Sequence, residues 1–214
     1  LRKWFADKHL QDIGTILMPI YDSLFARPWC RALGMQCGPR CEIALPINMT
    51  YDLVEVGEES FIASNVNMGT PLRRNNEIRF EPIKLGKRVF IGNDSTLTQN
   101  LEVPGDFLLG VLSACPDTQT LGSKNGQAWL GTPAFRMPTR QIGASFKQSQ
   151  TYKPTKRMYI ERLLHEALRI LLPSFFALII FAVVIEGFVL VWNEFSLAVA
   201  ALMLGPIYVV GLLV

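Results

Sequence analysis

Apolar residues follow three different patterns along the chain, and each pattern predicts a different structure. Near the N-terminus they recur every three or four residues, which is the spacing of one face of an α-helix. This set consists of Leu10, Ile13, Leu17, Ile20 and Leu24. In the middle of the chain the apolar residues recur every six positions, and from Ile170 to the end they form an almost continuous run. We therefore expect a helical segment, a repetitive β-structure and an apolar helical region, in that order.

The middle pattern pairs an aliphatic residue with a small one at six-residue intervals. The pairs are Val56–Gly57, Ile62–Ala63, Met68–Gly69, Leu85–Gly86, Ile91–Gly92, Leu97–Thr98, Val103–Pro104 and Leu109–Gly110. Six residues form one flat side of a triangular prism, so about 18 residues complete a coil in which each aliphatic residue points inward. Glycine after the aliphatic relieves the backbone where the chain turns a corner. The pattern predicts a parallel β-helix over residues 35–140, so the fold class is mainly β.

A weaker phase of the same repeat places Cys37 and Cys41 at inward positions. Their spacing also occurs in zinc sites, but no second pair of Cys or His residues lies nearby to complete four ligands. The chain has no sign of secretion, which disfavours a disulfide framework. We therefore expect buried thiols and no metal site.

The repeat is interrupted between Met68 and Leu85 by a polar segment that contains Arg73, Arg74 and two asparagines. This segment is either a loop that leaves the prism or a distorted coil. Loops on a rigid scaffold often carry function, and an arginine pair is suited to a phosphate or a carboxylate. A solvated loop without a role is the alternative.

The apolar end of the chain contains two candidate membrane spans. Residues 170–192 include a single charge, Glu186, and residues 195–214 include none, and a spanning helix needs about 20 apolar residues. A helical hairpin buried in a soluble protein is the alternative. The preceding segment, residues 141–169, reads as a basic linker and juxtamembrane helix, whose lysines and arginines predict that the domain before it is cytosolic. We therefore expect a multi-pass integral membrane protein.

Gly14 and Pro19 interrupt the N-terminal apolar pattern within residues 1–34. Two short helices or one kinked helix are expected, because proline removes a helical hydrogen bond. Such a segment lies either on the bilayer surface, where Trp4 and Trp29 suit the interface, or against the core of the folded domain.

Composition and charge exclude one class of protein and disfavour another. A chain that is 50% hydrophobic and 18% charged is not intrinsically disordered. The net charge of +3 is small and dispersed, which does not favour a nucleic acid partner.

Several short segments resemble a known family when they are taken together. Gly110–Val–Leu–Ser–Ala–Cys–Pro116 precedes Trp129–Leu–Gly–Thr–Pro–Ala134 and Met137–Pro–Thr–Arg140, and Pro19–Ile–Tyr21 and Arg31–Ala–Leu–Gly34 lie upstream. With the membrane region that follows, the chain resembles the terminal membrane domain of nonribosomal-peptide-synthetase-like proteins of the ε-poly-lysine synthetase type. That family carries hexapeptide-repeat, left-handed β-helix modules like those of trimeric acyltransferases.

The resemblance implies a module that transfers or condenses aminoacyl or acyl groups. The donor would be a phosphopantetheine thioester on a carrier domain, with no cofactor bound directly by this module. The implied partners are adenylation and carrier domains of the same chain, neighbouring β-helix modules and membrane lipid. A non-catalytic scaffold that organises the synthetase at the membrane is the alternative, and the oligomeric state stays open.

Candidate site residues follow from the same reading. Many hexapeptide acyltransferases use a histidine base, and the histidines here are His9 and His165, both outside the repeat region. Both are weak candidates, since a histidine in such a position more often has a surface or structural role. For substrate or carrier binding the candidates are Arg73, Arg74, Asn65 and Asn67, although asparagine is also common at β-helix corners.

Overall fold

A computed structural model describes residues 2–12, 17–44, 49–138, 152 and 154–213. Ile13, at the centre of the predicted N-terminal helix, lies outside the described residues. The chain forms two compact units, Leu1–Tyr159 and Ile160–Val214. Among the described residues, the strands lie in the first unit, and the second unit is formed by helices and the short turn between them.

The strands of the first unit are short, with two or three residues each. They are β1 (Gln36–Cys37), β2 (Glu42–Ile43), β3 (Val54–Val56), β4 (Phe61–Ile62), β5 (Asn67–Met68), β6 (Leu72–Arg74), β7 (Glu77–Arg79), β8 (Ile83–Leu85), β9 (Phe90–Ile91), β10 (Thr96–Leu97), β11 (Leu101–Val103), β12 (Leu108–Leu109), β13 (Ala128–Leu130) and β14 (Phe135–Arg136). The helices are α1 (Arg2–Asp12), α2 (Ala26–Ala32), α3 (Thr118–Leu121), α4 (Lys156–Glu194) and α5 (Leu197–Leu213).

Most of these strands belong to three sheets that the chain visits in turn. The first sheet has the order β1-β3-β8-β11, the second β14-β13-β12-β9-β4-β2, and the third pairs β10 with β5. All neighbours are parallel except β13 and β14. Leu85 pairs with Val103, 18 positions later, and Ile91 pairs with Leu109 at the same interval. The six-residue period therefore corresponds to one strand and one corner, as the repeat predicts.

The repeat positions form the core of this unit. Val56, Ile62, Leu85, Ile91 and Leu109 are all at most 3% exposed. The residues four positions later are buried as well, including three serines. Ser95 donates its hydroxyl to the Gly110 carbonyl at 2.8 Å, so burial leaves no unmet hydrogen bond there. The predicted inward positions are confirmed.

Glycine is needed at the corners because successive coils approach each other closely there. A Cβ added to Gly57 would lie 2.4 Å from the Gly86 carbonyl oxygen. The left-handed backbone falls two residues later, at Glu59 (φ 60°) and Arg88 (φ 56°). Crowding by the next coil, rather than the turn itself, therefore requires the glycine.

The interruption of the repeat leaves the stack as a hairpin. Strands β6 and β7 pair antiparallel around Asn75 and Asn76, both with positive φ. Because Val56 pairs directly with Leu85, the coils on either side remain in register. The segment is therefore a loop that leaves the prism and not a distorted coil.

The strands do not close the prism completely, and "mainly β" does not describe the whole chain. The third sheet has two strands and one further bridge, Thr96 to Ala114, among the described residues. The helix α4 alone contains 39 residues. The coarser statement holds: parallel strands stacked at the hexapeptide interval, followed by long apolar helix.

The described residues of the N-terminal segment include two short helices, α1 and α2. Helix α1 ends at Asp12, and turns lead from Met18 to α2. Leu10 packs partly against the core and Tyr21 is buried. The Tyr21 and Tyr51 hydroxyls lie 2.7 Å apart. Part of this segment therefore faces the core.

The second unit consists of α4 and α5. Helix α4 is long and apolar enough to cross a membrane by length and composition, and no described residue in it is buried. The apolar part of α5 spans Leu197–Pro206 and is shorter. One helix of this kind is weak support for a membrane protein.

Candidate functional site

The polar hairpin and α1 meet at one surface of the first unit. The Arg73 guanidinium lies 5.4 Å from the centroid of the Trp4 ring, a cation–π contact. Arg74 is exposed one residue later, opposite Glu77 in the hairpin register. The predicted arginine pair therefore lies on the β6–β7 hairpin, and one member, Arg73, contacts an aromatic ring of α1.

Lys3, one residue before Trp4, connects α1 to the strand stack. Its ammonium lies 3.6 Å from Asp7 and also contacts Asp52, and it sits 5.7 Å from the centre of the Phe80 ring. Desolvation raises the pKa of Asp7, Asp52 adds to that rise and Lys3 opposes it. We name this group together with Arg73 and Trp4 the hairpin surface.

The two predicted asparagines lie on the stack itself. Asn65 has a φ of 60° and occupies a corner, which asparagine tolerates better than most residues. Asn67 lies in β5, and its side-chain oxygen accepts a hydrogen bond from the Thr70 hydroxyl at 2.5 Å. Asn65 thus meets a backbone requirement of the corner and Asn67 binds Thr70, whereas Arg73 contacts α1.

The histidines occupy different units. His9 lies on α1 and packs edge-on against Phe5, with ring centroids 4.3 Å apart. His165 lies on α4 and its Nδ1 is 2.7 Å from the Glu161 carbonyl oxygen. Of the two, only His9 lies on the helix that also forms the hairpin surface.

The thiols and serines of the stack are poor nucleophiles. All four cysteines are buried and free, and burial raises the pKa of Cys30, Cys37 and Cys115 to about 12. A thiol with this pKa is almost fully protonated at neutral pH. Ser113 donates to the Val111 carbonyl at 2.9 Å and accepts from the Gly131 amide at 2.8 Å. Among the described residues, no group of three or more His, Cys, Asp and Glu side chains is placed to hold a metal ion.

One polar feature escaped the sequence analysis. Along the corners between the first and second sheets, Arg40 and Arg88 both bind Glu59, at 2.6 Å and 2.7 Å. The Glu59 side chain is only 2% exposed, and its two arginine partners lower its pKa. Tyr152 lies over the Arg88 guanidinium at 4.9 Å. We name Arg40, Glu59 and Arg88 the corner ion ladder.

A signal for the ladder was present in the repeat. Each of its members follows an inward residue by three positions, and the charge alternates from coil to coil. Successive coils stack at strand spacing, so alternating charges at a fixed repeat position are adjacent in space.

Sequence comparison finds one informative relative. No family model matches the chain. Over 213 residues the chain is 30% identical to a δ-poly-L-ornithine synthetase from Acinetobacter baumannii. The aligned region covers 98% of this chain but 16% of the synthetase. The chain thus spans about a sixth of the length of that relative. The named product of the relative is poly-ornithine, so the match does not single out the poly-lysine type.

Solved structures with a similar arrangement include acetyltransferases and an N-acyltransferase. A maltose O-acetyltransferase from Clostridium difficile is 14% identical, with a TM-score of 0.42 over 64% of this chain and 89% of its own. A hexapeptide-repeat-containing acetyltransferase from Vibrio cholerae, complexed with acetyl coenzyme A, is 16% identical, with a TM-score of 0.43 over 63% and 89%. At these TM-scores no conclusion is drawn from the likeness, and the fold rests on the strand pairings.

Proposed function

We propose that this chain is a membrane-anchored module of a poly-amino-acid synthetase, and that it transfers or condenses aminoacyl or acyl groups delivered as a carrier-bound thioester. The similarity to a δ-poly-L-ornithine synthetase along 98% of the chain carries this proposal. Adenylation and carrier domains of the same polypeptide, and neighbouring modules of the same kind, are the proposed partners.

The proposed fold of the strand unit is a left-handed β-helix of hexapeptide repeats. The cyclic order of the three sheets and the 18-residue spacing of paired positions support a β-helix. Such a scaffold holds its loops rigidly, and the β6–β7 hairpin that carries Arg73 and Arg74 is an excursion from it.

Arg73 and Arg74 are the proposed binding residues for the donor or acceptor. A guanidinium forms strong, charge-assisted hydrogen bonds with a phosphate or a carboxylate. The phosphopantetheine arm presents the first group and an amino acid presents the second. Asn65 and Asn67 remain weaker candidates, because the observed roles of their side chains and backbone lie within the stack.

The reaction that fits such a site is attack of a free amine on the thioester carbonyl. A C–N bond forms, the C–S bond breaks, and the proton lost by the amine balances the thiolate that leaves. Orientation of the two reactants supplies a large part of the rate in reactions of this type. A dedicated histidine is therefore not essential, although His9 and His165 remain candidates for the base.

The decisive experiment replaces both arginines with glutamine in the full-length protein. Losing a strong charge-assisted contact costs roughly 1.5–3 kcal/mol, so product formation should fall about ten- to a hundredfold while folding and membrane retention stay unchanged. Arg79→Gln is the matched control, because Arg79 belongs to the same hairpin but binds Glu81 at 2.6 Å. Unchanged product formation in the double variant would count against this site.

The proposed protein is an integral membrane protein. In it, α4 and α5 span the bilayer and the strand unit lies in the cytosol. Support comes from the exposed apolar surface of α4 and from the basic residues at its start, Lys156 and Arg157. Lys124→Cys and Asn193→Cys in intact cells test the topology. Labelling of both positions from the same side of the membrane would contradict it.

A scaffold role is the second candidate function. The chain has no histidine between His9 and His165, and its thiols are buried, which favours a module without a catalytic base. His9→Gln and His165→Gln, tested beside the arginine variants, separate the two functions. If all of these changes leave product formation intact, the scaffold function stands.

A further inference from the structure

Three corners between the second and third sheets lie directly above one another. They are formed by residues 64–65, 93–94 and 111–112. The Asp94 amide donates to the Ser64 carbonyl at 3.1 Å, and the Leu112 amide donates to the Asn93 carbonyl at 2.9 Å. The second residue of each corner is left-handed, with φ values of 60° at Asn65, 55° at Asp94 and 53° at Leu112. The three corners are therefore equivalent in backbone structure.

Their side chains are not equivalent. The first two corners carry Ser-Asn and Asn-Asp, whereas the third carries Val-Leu. Asparagine and aspartate tolerate the left-handed region, but a bulky apolar residue there is uncommon and strained. Leu112 is 69% exposed and Val111 is 55% exposed. Packing within the described residues therefore does not account for an apolar pair at this corner.

Phe135 is a third exposed apolar side chain, and it follows the turn that contacts this corner. The Thr132 hydroxyl donates to the Leu112 carbonyl at 3.2 Å, which fixes the turn before β14 against the corner. The Phe135 ring lies against Gly131 in that turn and is 56% exposed. We name Val111, Leu112 and Phe135 the apolar corner.

We propose that the apolar corner inserts into the interfacial layer of a lipid bilayer. Its three side chains expose far less surface than the roughly 800 Å² per partner that a stable protein interface buries, so a second copy is a poor fit. Insertion into lipid needs no such area, because each apolar side chain gains by leaving water. The exposed Arg136 follows Phe135 and suits an anionic headgroup.

In this proposal, the bilayer is the one in which α4 of the same chain is anchored. Helix α4 exposes apolar side chains along its length, and a chain anchored by it keeps its other surfaces near a bilayer at high effective concentration. The inference thus depends on the proposed membrane anchoring, but not on any catalytic role. Membrane retention and insertion of the corner are measured separately for that reason.

The test uses the full chain in liposomes of phosphatidylcholine and phosphatidylglycerol, some of which contain nitroxide-labelled lipid. A fluorescent bimane label is attached to Leu112→Cys in one sample and to Asp94→Cys, the equivalent corner, in the control. The native cysteines are buried, which limits background labelling. Insertion by several ångströms should make quenching at 112 at least about twice that at 94.

A second variant keeps the result independent of the label position. Val111→Asn combined with Leu112→Asp reproduces the Asn-Asp sequence of the corner at 93–94. Because Asn and Asp are the residues found in that same backbone conformation at 93–94, folding should be preserved or improved. A label at Phe135→Cys should then lose its quenching while the chain still floats with the liposomes.

Equal quenching at 112 and 94 in a retained chain would overturn the inference and leave the anchoring intact. Loss of flotation in the unmodified chain would overturn both, and energy transfer between labelled copies without lipid quenching would assign the corner to a protein partner instead.

Discussion

The strand stack and the helical unit use the same kinds of apolar residue in opposite ways. In the stack, Ile62, Ile91 and Leu109 are completely buried in strands of two residues. In α4, none of the described residues is buried across 39 positions. The difference lies in spacing: one apolar residue in six defines an inside, whereas a continuous apolar run leaves every side of a helix equally apolar.

The largest effect should come from a charge inside the stack. Ile91→Asp buries a carboxylate without a partner, which costs more than the few kcal/mol of net stability that a domain of this size has, so folding should be lost. Circular dichroism and solubility of the full chain measure it. Phe90→Asp is the control, because Phe90 belongs to the same strand but points outward and is 39% exposed. A well-folded Ile91→Asp protein would contradict the assignment of the repeat positions to a buried core.

A charge in α4 should leave the stack folded and affect the membrane instead. Phe181 is 61% exposed, so Phe181→Lys removes little packing around that side chain. Lysine near the centre of a spanning helix costs about 2.5–3.5 kcal/mol of insertion free energy. A glycosylation-based insertion assay measures the effect, with Phe181→Leu as control. Unfolding of the strand unit by Phe181→Lys would show that α4 is a core helix.

The corner ion ladder should make the stack sensitive to acid. Arg40 and Arg88 lower the pKa of Glu59, so its contribution is complete above the ordinary glutamate pKa and is lost as the pH falls through the lowered value. Glu59→Gln should lower the melting temperature by several degrees at neutral pH and flatten its decline in acid. The two melting curves should converge once the pH has fallen below the lowered pKa of Glu59. Glu55→Gln, at an exposed position of β3, should behave like the unmodified protein. Parallel pH profiles for Glu59→Gln and the parent would remove the ladder from the acid response.

The smallest effect should come from the contact between α1 and the hairpin. An exposed cation–π contact contributes about 0.5–1 kcal/mol. A double-mutant cycle with Trp4→Leu and Arg73→Gln should recover a coupling free energy of that size. The same cycle with Arg74 should give none, and equal coupling for both arginines would contradict the observed pairing.

Much of the stack was predictable from the sequence, and much of the candidate site was not. The inward residues and the hairpin excursion followed from the period and from its interruption. At the N-terminus, helical spacing did not indicate that Tyr21 is buried, with its hydroxyl 2.7 Å from that of Tyr51. The contact of Arg73 with Trp4 joins residues 69 positions apart, and local spacing carries no information on such a pair.

By itself, the sequence determined which residues of the stack face inward. Side chains alternate along a strand, and each coil repeats the environment of the previous one, so a period of six residues is enough to assign Ile91 or Leu97 to the core. Tertiary structure alone decided which coils are neighbours. Because the hairpin lengthens one coil without shifting its register, Glu59 meets Arg88 across 29 residues, and Leu112 is placed above two polar corners. Contacts of this kind depend on how the coils stack, a property of the whole folded unit.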